Sequence, residues 1–409
     1  MGATTRMEMN QHYSGARVLI YSHDSFGLGH LRRCRAIAHS LVGHYPELSV
    51  LILSGSPIVG SFDYCSHVDF VRIPGVIKLS DGEYTSLALD IQLEQTLALR
   101  ESIIYHTAET FAPDLFLVDK EPGGLKGEVV STLEMLKARG TPCALGLRDV
   151  MDDPAALRAE WQRKRVQPIL EQLYDEIWVY GPEGMGSPLR GVGMPAAVED
   201  KLRYSGFLRR EAPAARSLPA PVDTSQPFVL VTAGGGGDGE EMIDWVLRAY
   251  EAEAGLPRAV IVLGPFMAPL RQVAFGERAA RLPQVETLTF DSQLELLMRE
   301  ADGVVAMGGY NTFCEILSLD RPALIVPRTA PRREQLIRAQ RASRLGLVHM
   351  LDPEQSRDPA RMAAALRALP RQSPPSAGAH PGLLDGLLRI NDMVAPYLDK
   401  RHRSARQPA

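Results

Sequence analysis

The chain has 409 residues, 45% of them hydrophobic and 23% charged. That is too long for one ordinary core, comfortable for two domains, and too apolar for a disordered or fibrous protein. A formal net charge of -4 gives no broad field for wrapping nucleic acid, so nucleic acid is not an expected partner. Cys34, Cys65, Cys143 and Cys314 are scattered, which fits neither a metal cluster nor a disulfide framework and points to a reducing cytoplasm.

Residues 1–16 carry no apolar core and read as a disordered leader rather than a signal peptide. No apolar run approaches the roughly 18 residues that a membrane span needs, and peripheral contact with the inner face of a membrane stays open. From Arg17, short β-branched runs alternate with helical stretches, the pattern of parallel βαβ units. RVLIYS, SVLILSG, VDFVRIP, DLFLVD, PCALGLRDV and EIWVYG read as strands of a first domain over 17–210. Helices are expected from His30 to Tyr45, from Ser86 to Phe111 and from Pro154 to Leu173. Residues 211–227, rich in proline and alanine, form the expected linker. FVLVTA, AVIVLG, VETLTF, GVVAMG and PALIVP then repeat the plan in a second domain over 228–380. A last amphipathic helix within 381–400 is expected to pack back toward the first domain, ahead of a basic tail at 401–409. The fold class is α/β, with two doubly wound sheets.

Three loops carry the chemistry. SHDSFGLGHLRRC places Gly27 and Gly29 before His30 at a helix start, where ligands bind in open parallel sheets. There a histidine can act as a general base near neutral pH, although a plain capping turn explains the same residues. Arg33 fits either a substrate anion or the surface. In VTAGGGGDGEEM, Gly234, Gly235, Gly236 and Gly237 link a strand to a helix, so their N–H groups can fold around a diphosphate. The run from Phe290 to Gln335 holds Asp291, then Gly308 and Gly309 after a strand, with Asn311, Thr312 and Glu315 opening the next helix. A carboxylate in that first turn can accept from both ribose hydroxyls or simply favour the dipole. In VDKEPGG and LGLRDVMDD, Asp119, Lys120, Arg148 and Asp149 lie past strand ends, as cleft residues or as solvated charges. The neighbouring Asp152 and Asp153 stand alone, and no metal site is expected.

The run from Phe290 to Gln335 resembles the donor-nucleotide signature of the MurG-like glycosyltransferases, glycosyltransferase family 28. In order it presents an aromatic base contact (Phe290), an acidic residue before a strand (Asp302), a glycine turn (Gly308, Gly309), a ribose glutamate (Glu315), a Pro-Ala-Leu strand and a polar pair (Glu334, Gln335). GLGHLRR and GGGGDG resemble the family's first loop and its phosphate loop. Two departures stand out: Glu334 replaces a common glutamine, and Leu31-Arg32-Arg33 replaces an aromatic-proline pair. The latter is closer to the G-x-G-H-x-x-R loop of UDP-sugar hydrolases of pseudaminic acid synthesis. The resemblance implies the GT-B architecture, two Rossmann-like domains with a cleft between them. It also implies a nucleotide sugar, a UDP-sugar above others, as co-substrate, with no other cofactor and no bound metal. The acceptor would be a small molecule, a glycan or a lipid-linked compound. On this reading His30 deprotonates the acceptor and the product forms with inversion. Hydrolysis of the donor, its epimerisation, and a ligand-binding subunit needing a membrane partner are the alternatives. Sugar, acceptor and oligomeric state stay open.

Overall fold

The computed structural model describes residues 15–23, 29–78, 84–216, 219–235 and 237–398. Gly27, Gly236, most of the expected leader and the basic tail lie outside these. The chain divides into two compact units, one of residues 1–149, 154–208 and 385–409, the other of residues 150–153 and 209–384.

The first unit is built on seven strands: β1 (Arg17–Ser22), β2 (Ser49–Ser54), β3 (Val68–Arg72), and, after a small antiparallel hairpin of β4 (Val76–Lys78) and β5 (Tyr84–Ser86), β6 (Leu115–Asp119), β7 (Cys143–Arg148), β8 (Glu176–Tyr180) and β9 (Leu202–Tyr204). The large sheet has the order β3-β2-β1-β6-β7-β8-β9 and is parallel throughout. All five residues of β6 are buried, as expected of a parallel sheet covered on both faces. Its larger helices are α1 (Gly29–His44), α2 (Leu93–Phe111), α3 (Val130–Ala138), α4 (Pro154–Arg163) and α5 (Val166–Gln172). The single helix expected over 154–173 is thus two, because Arg165 adopts a left-handed backbone conformation, φ 50°, that no continuous helix accommodates.

The second unit carries β10 (Val229–Thr232), β11 (Ala259–Val262), β12 (Val285–Leu288), β13 (Gly303–Ala306), β14 (Ala323–Ile325) and β15 (His349–Met350), in the order β12-β11-β10-β13-β14-β15, again all parallel. Between them run α6 (Glu240–Ala252), α7 (Pro269–Ala279), α8 (Leu294–Glu300), α9 (Tyr310–Ser318), α10 (Glu334–Arg344) and α11 (Pro359–Ala368). The core on one face gathers Val229, Val231, Trp245, Ile261 and Met362. Among the described residues, 211–227 contain no helix or strand.

The last helix, α12 (Gly386–Leu398), belongs to the first unit. Ser40 on α1 donates to Asn391 Oδ1 at 3.2 Å, and Tyr45 Oη donates to the Asn391 carbonyl at 2.9 Å. At its start the backbone approaches so closely that a Cβ on Gly386 would stand 2.6 Å from the carbonyl oxygens of Gly206 and Phe207. Gly386→Ala should therefore cost about 1–3 kcal/mol in urea unfolding; a change near zero would show that this junction yields freely.

Candidate functional site

In a doubly wound sheet the strand order reverses at one point, and ligands bind beyond the carboxyl ends of the two strands there. In the first unit that point lies between β1 and β6. His30, at the start of α1, meets Asp119, the last residue of β6: Nδ1 and Oδ2 are 2.5 Å apart. Arg33, one turn along α1, donates to the same carboxylate through Nε at 2.8 Å and Nη2 at 2.6 Å. Asp119 is fully buried. Burial opposes its charge, but Arg33 and His30 outweigh it and hold the carboxyl well below the usual range. Burial likewise pushes His30 below the ordinary histidine value, against the pull of Asp119. The pair is thus a carboxylate and a neutral imidazole at neutral pH. With Nδ1–H donated to Asp119, Nε2 carries the lone pair, the arrangement a general base requires.

The support beneath this pair runs through residues that sequence reading missed. The Arg33 guanidinium lies 5.7 Å from the Tyr180 ring centroid, at the end of β8. Tyr180 fits because Gly146 has no side chain, where a Cβ would come within 1.9 Å of the Tyr180 hydroxyl. The one available sequence signal was a glycine inside the apolar strand CALGLR. Lys120 lies beyond Asp119 with φ 71°, its N–H donating to the Gly146 carbonyl at 2.8 Å. Its ammonium is 3.8 Å from Glu121, whose carboxyl also takes Lys164 at 2.8 Å. Burial would raise Glu121, but Lys120, His23 and Lys164 hold it at about 2. Arg148 is half-buried at the end of β7 and Asp149 is fully buried, so neither is a solvated loop tip. Gly29 is the first residue of α1.

In the second unit the order reverses between β10 and β13, and the expected donor loops meet there. Gly234, with φ 64°, donates its N–H to Thr232 Oγ1 at 3.2 Å. A Cβ at Gly234 would stand 4.0 Å from Thr312 Oγ1 on α9, and one at Gly309 would stand 3.8 Å from Gln335 Nε2 on α10. Gln335 Oε1 accepts from the Arg328 N–H at 3.0 Å. The Arg328 guanidinium bonds Asp238, just past the glycine loop, and lies 3.4 Å from Glu334. Arg328 thereby ties the loop after β14 to the loop after β10. Gly237, in the latter, is exposed. Phe266, 47% exposed, lies over the glycine loop: a Cβ on Gly235 would be 3.2 Å from its ring.

The Gly308 turn, φ 78°, is held from behind. Arg338, completely buried, donates to the Gly308 carbonyl at 3.1 Å and stacks 5.6 Å from the Tyr310 centroid. Neither Arg328 nor Arg338 was foreseen as a site residue. Glu315 is buried in the second turn of α9, not the first as the sequence suggested, since the helix begins at Tyr310. Asn311 accepts from Arg210 at 3.0 Å. Asp291 pairs with Arg216 at 2.8 Å and accepts from the Gln293 N–H at 2.9 Å, so it shapes the loop after β12. Phe290, 57% exposed, stands on that loop, two strands from β10. The Asp152 carboxylate accepts from the Arg333 N–H at 2.8 Å. Among the described residues no group of three or more His, Cys, Asp or Glu is placed to hold a metal ion. No described helix is long and apolar enough to cross a membrane.

Two doubly wound parallel units, each with a polar cluster at its reversal point, define the GT-B class of glycosyltransferase folds. Solved structures share it. The calicheamicin glycosyltransferase CalG4 is similar at 15% identity and TM-score 0.59, over 94% of this chain and 99% of its own. MurG of Acinetobacter baumannii gives 12% identity and TM-score 0.60, over 93% and 99%. A UGT transferase from Siraitia grosvenorii in complex with UDP gives 15% and 0.62, over 93% and 100%. Residues 265–377 match the glycosyltransferase family 28 C-terminal domain. That match lies within the second unit. Comparison with curated proteins gives no match.

Proposed function

We propose that the chain transfers a sugar from a nucleotide diphosphate, UDP above others, to an acceptor hydroxyl with inversion and without a divalent ion. The observation that carries this reading is the neutral His30 held by the ionised, buried Asp119 at the first reversal point. His30 Nε2 takes the acceptor's O–H proton. The freed oxygen forms a bond to the anomeric carbon from the face opposite the diphosphate, and the carbon–oxygen bond to the diphosphate breaks, its electron pair leaving with the nucleotide. Asp119 steadies the imidazolium formed on the way.

The donor belongs on the second unit. Its diphosphate suits the start of α9, which has no acidic residue in its first turn and follows the open Gly308–Gly309 turn. The start of α6 is less favourable to an anion, because Glu240 and Glu241 stand in its first turn. Glu315 would accept from the ribose hydroxyls, and Phe290 would lie against the base. The structural relative solved with UDP supports uridine as the first nucleotide to try.

The test begins with calorimetric titration of UDP, GDP, dTDP and ADP, then follows sugar release from the matching donor with and without alcohols. Rapid release with water alone would turn the reading to hydrolysis, which Arg33 in the G-x-G-H-x-x-R loop also suits. Glu315→Ala should weaken nucleotide binding about 10–100-fold, the loss expected for hydrogen bonds to a charged group. Unaltered affinity would take Glu315 out of the ribose role.

A further inference from the structure

Directly after the last residue of β1, a second histidine stands beside the first. The His23 and His30 rings meet edge to face with centroids 5.7 Å apart, and His23 is 8% exposed. Its tautomer follows from its neighbours. Tyr21 Oη donates its only hydrogen to Glu128 at 2.6 Å and keeps it, because burial raises the phenol well above its ordinary value. The His23 Nδ1 that lies 3.4 Å from the Tyr21 oxygen must therefore be the donor of that long bond. Nε2 is then a lone-pair acceptor, and no described residue donates to it. Burial pushes His23 down to about 3 against the nearby Glu121 and Asp119, with Lys120 and His30 acting in the same sense as burial. The ring is neutral at neutral pH.

We propose that His23 is a specificity-determining residue for the acceptor: its Nε2 accepts a hydrogen bond from a second hydroxyl next to the one that His30 deprotonates. The acceptor is accordingly a vicinal diol, as on a sugar or cyclitol ring, and not a lone alcohol. The inference rests on the transfer reading above and adds the acceptor class. A buried acceptor left without its donor is costly, so an alcohol lacking the second hydroxyl forfeits this contact and leaves Nε2 bare. Two neutral imidazoles side by side also avoid repelling each other, which a protonated pair would not.

The probes are cyclohexanol and the cis and trans isomers of cyclohexane-1,2-diol, each offered with the UDP-sugar that the protein consumes. Wild type should favour one diol over cyclohexanol by about tenfold in kcat/KM. In His23→Phe, which keeps the ring and loses the nitrogens, that ratio should fall to near one. His23→Gln, which restores an acceptor oxygen, should recover part of it. A ratio equal in wild type and His23→Phe overturns the proposal. So does a His23→Phe defect confined to the KM for the donor. If no donor is consumed at all, the transfer reading fails separately, and nitrogen-15 NMR of the full chain still decides the diol claim. A His23 Nε2 resonance that moves on adding the diol, and not on adding cyclohexanol, supports it. A resonance indifferent to both overturns it.

Discussion

His30→Ala should lower transfer by about 10²–10⁴-fold, the usual contribution of a positioned proton acceptor, while calorimetry shows nucleotide affinity within twofold of wild type, since every proposed nucleotide contact is on the second unit. The pH profile of the wild type sharpens the test. Catalysis needs neutral His30, and its pKa is lowered from the ordinary 6.5, chiefly by burial. The rate should therefore fall on acidification with a midpoint below 6.5, as the ring takes a proton. Asp119→Asn removes the charge that favours an imidazolium, so it should reduce the plateau rate and shift the fall to still lower pH. A profile centred at or above 6.5 with unchanged turnover in Asp119→Asn would dismiss the histidine as base.

The second large effect is on stability. Behind His23, Arg100 on α2 gives two hydrogen bonds of 2.6 Å to Glu128, and both side chains are 1% exposed. Its Nη1 also donates to the Pro74 carbonyl at 2.5 Å. Arg100→Ala leaves a buried carboxylate without its cation, at about 3–5 kcal/mol, readable as a lower urea midpoint with little change in slope. Arg100→Met combined with Glu128→Gln retains an acceptor for Tyr21 and leaves no lone charge, so it should regain part of that loss. A single variant within 1 kcal/mol of wild type would mean that water reaches Glu128.

Much of this architecture was legible because parallel strands leave a plain trace: VLVT, AVIV and GVVA are short, continuous and apolar, and each is fully buried. What stayed hidden was short or irregular. β15 has two residues, the β4–β5 hairpin has three per strand, and the break at Arg165 is a single left-handed residue in otherwise helical text. The site divides similarly. His30, the glycine loops and Glu315 announce themselves through strand-glycine-helix order. Asp119 was noted as a charge past a strand, but nothing local told that 89 positions of separation close to a hydrogen bond. Arg328 and Arg338 read as ordinary cations in PRTAPRREQLIRAQ. Only the fold shows that one ties its own loop to the glycine loop after β10 and the other lies entirely inside, beneath Gly308.

The packing of α12 against α1 has a consequence for biosynthesis. The helix that bears the proposed base gains its partner from residues 386–398, the last described stretch to leave the ribosome. Although domains generally fold in the order they are made, the first unit must wait, with an apolar flank uncovered, until the whole of the second has been translated. Chains that stop short of residue 385 should consequently emerge as substrates for chaperones and proteases, even with every strand of both sheets already present.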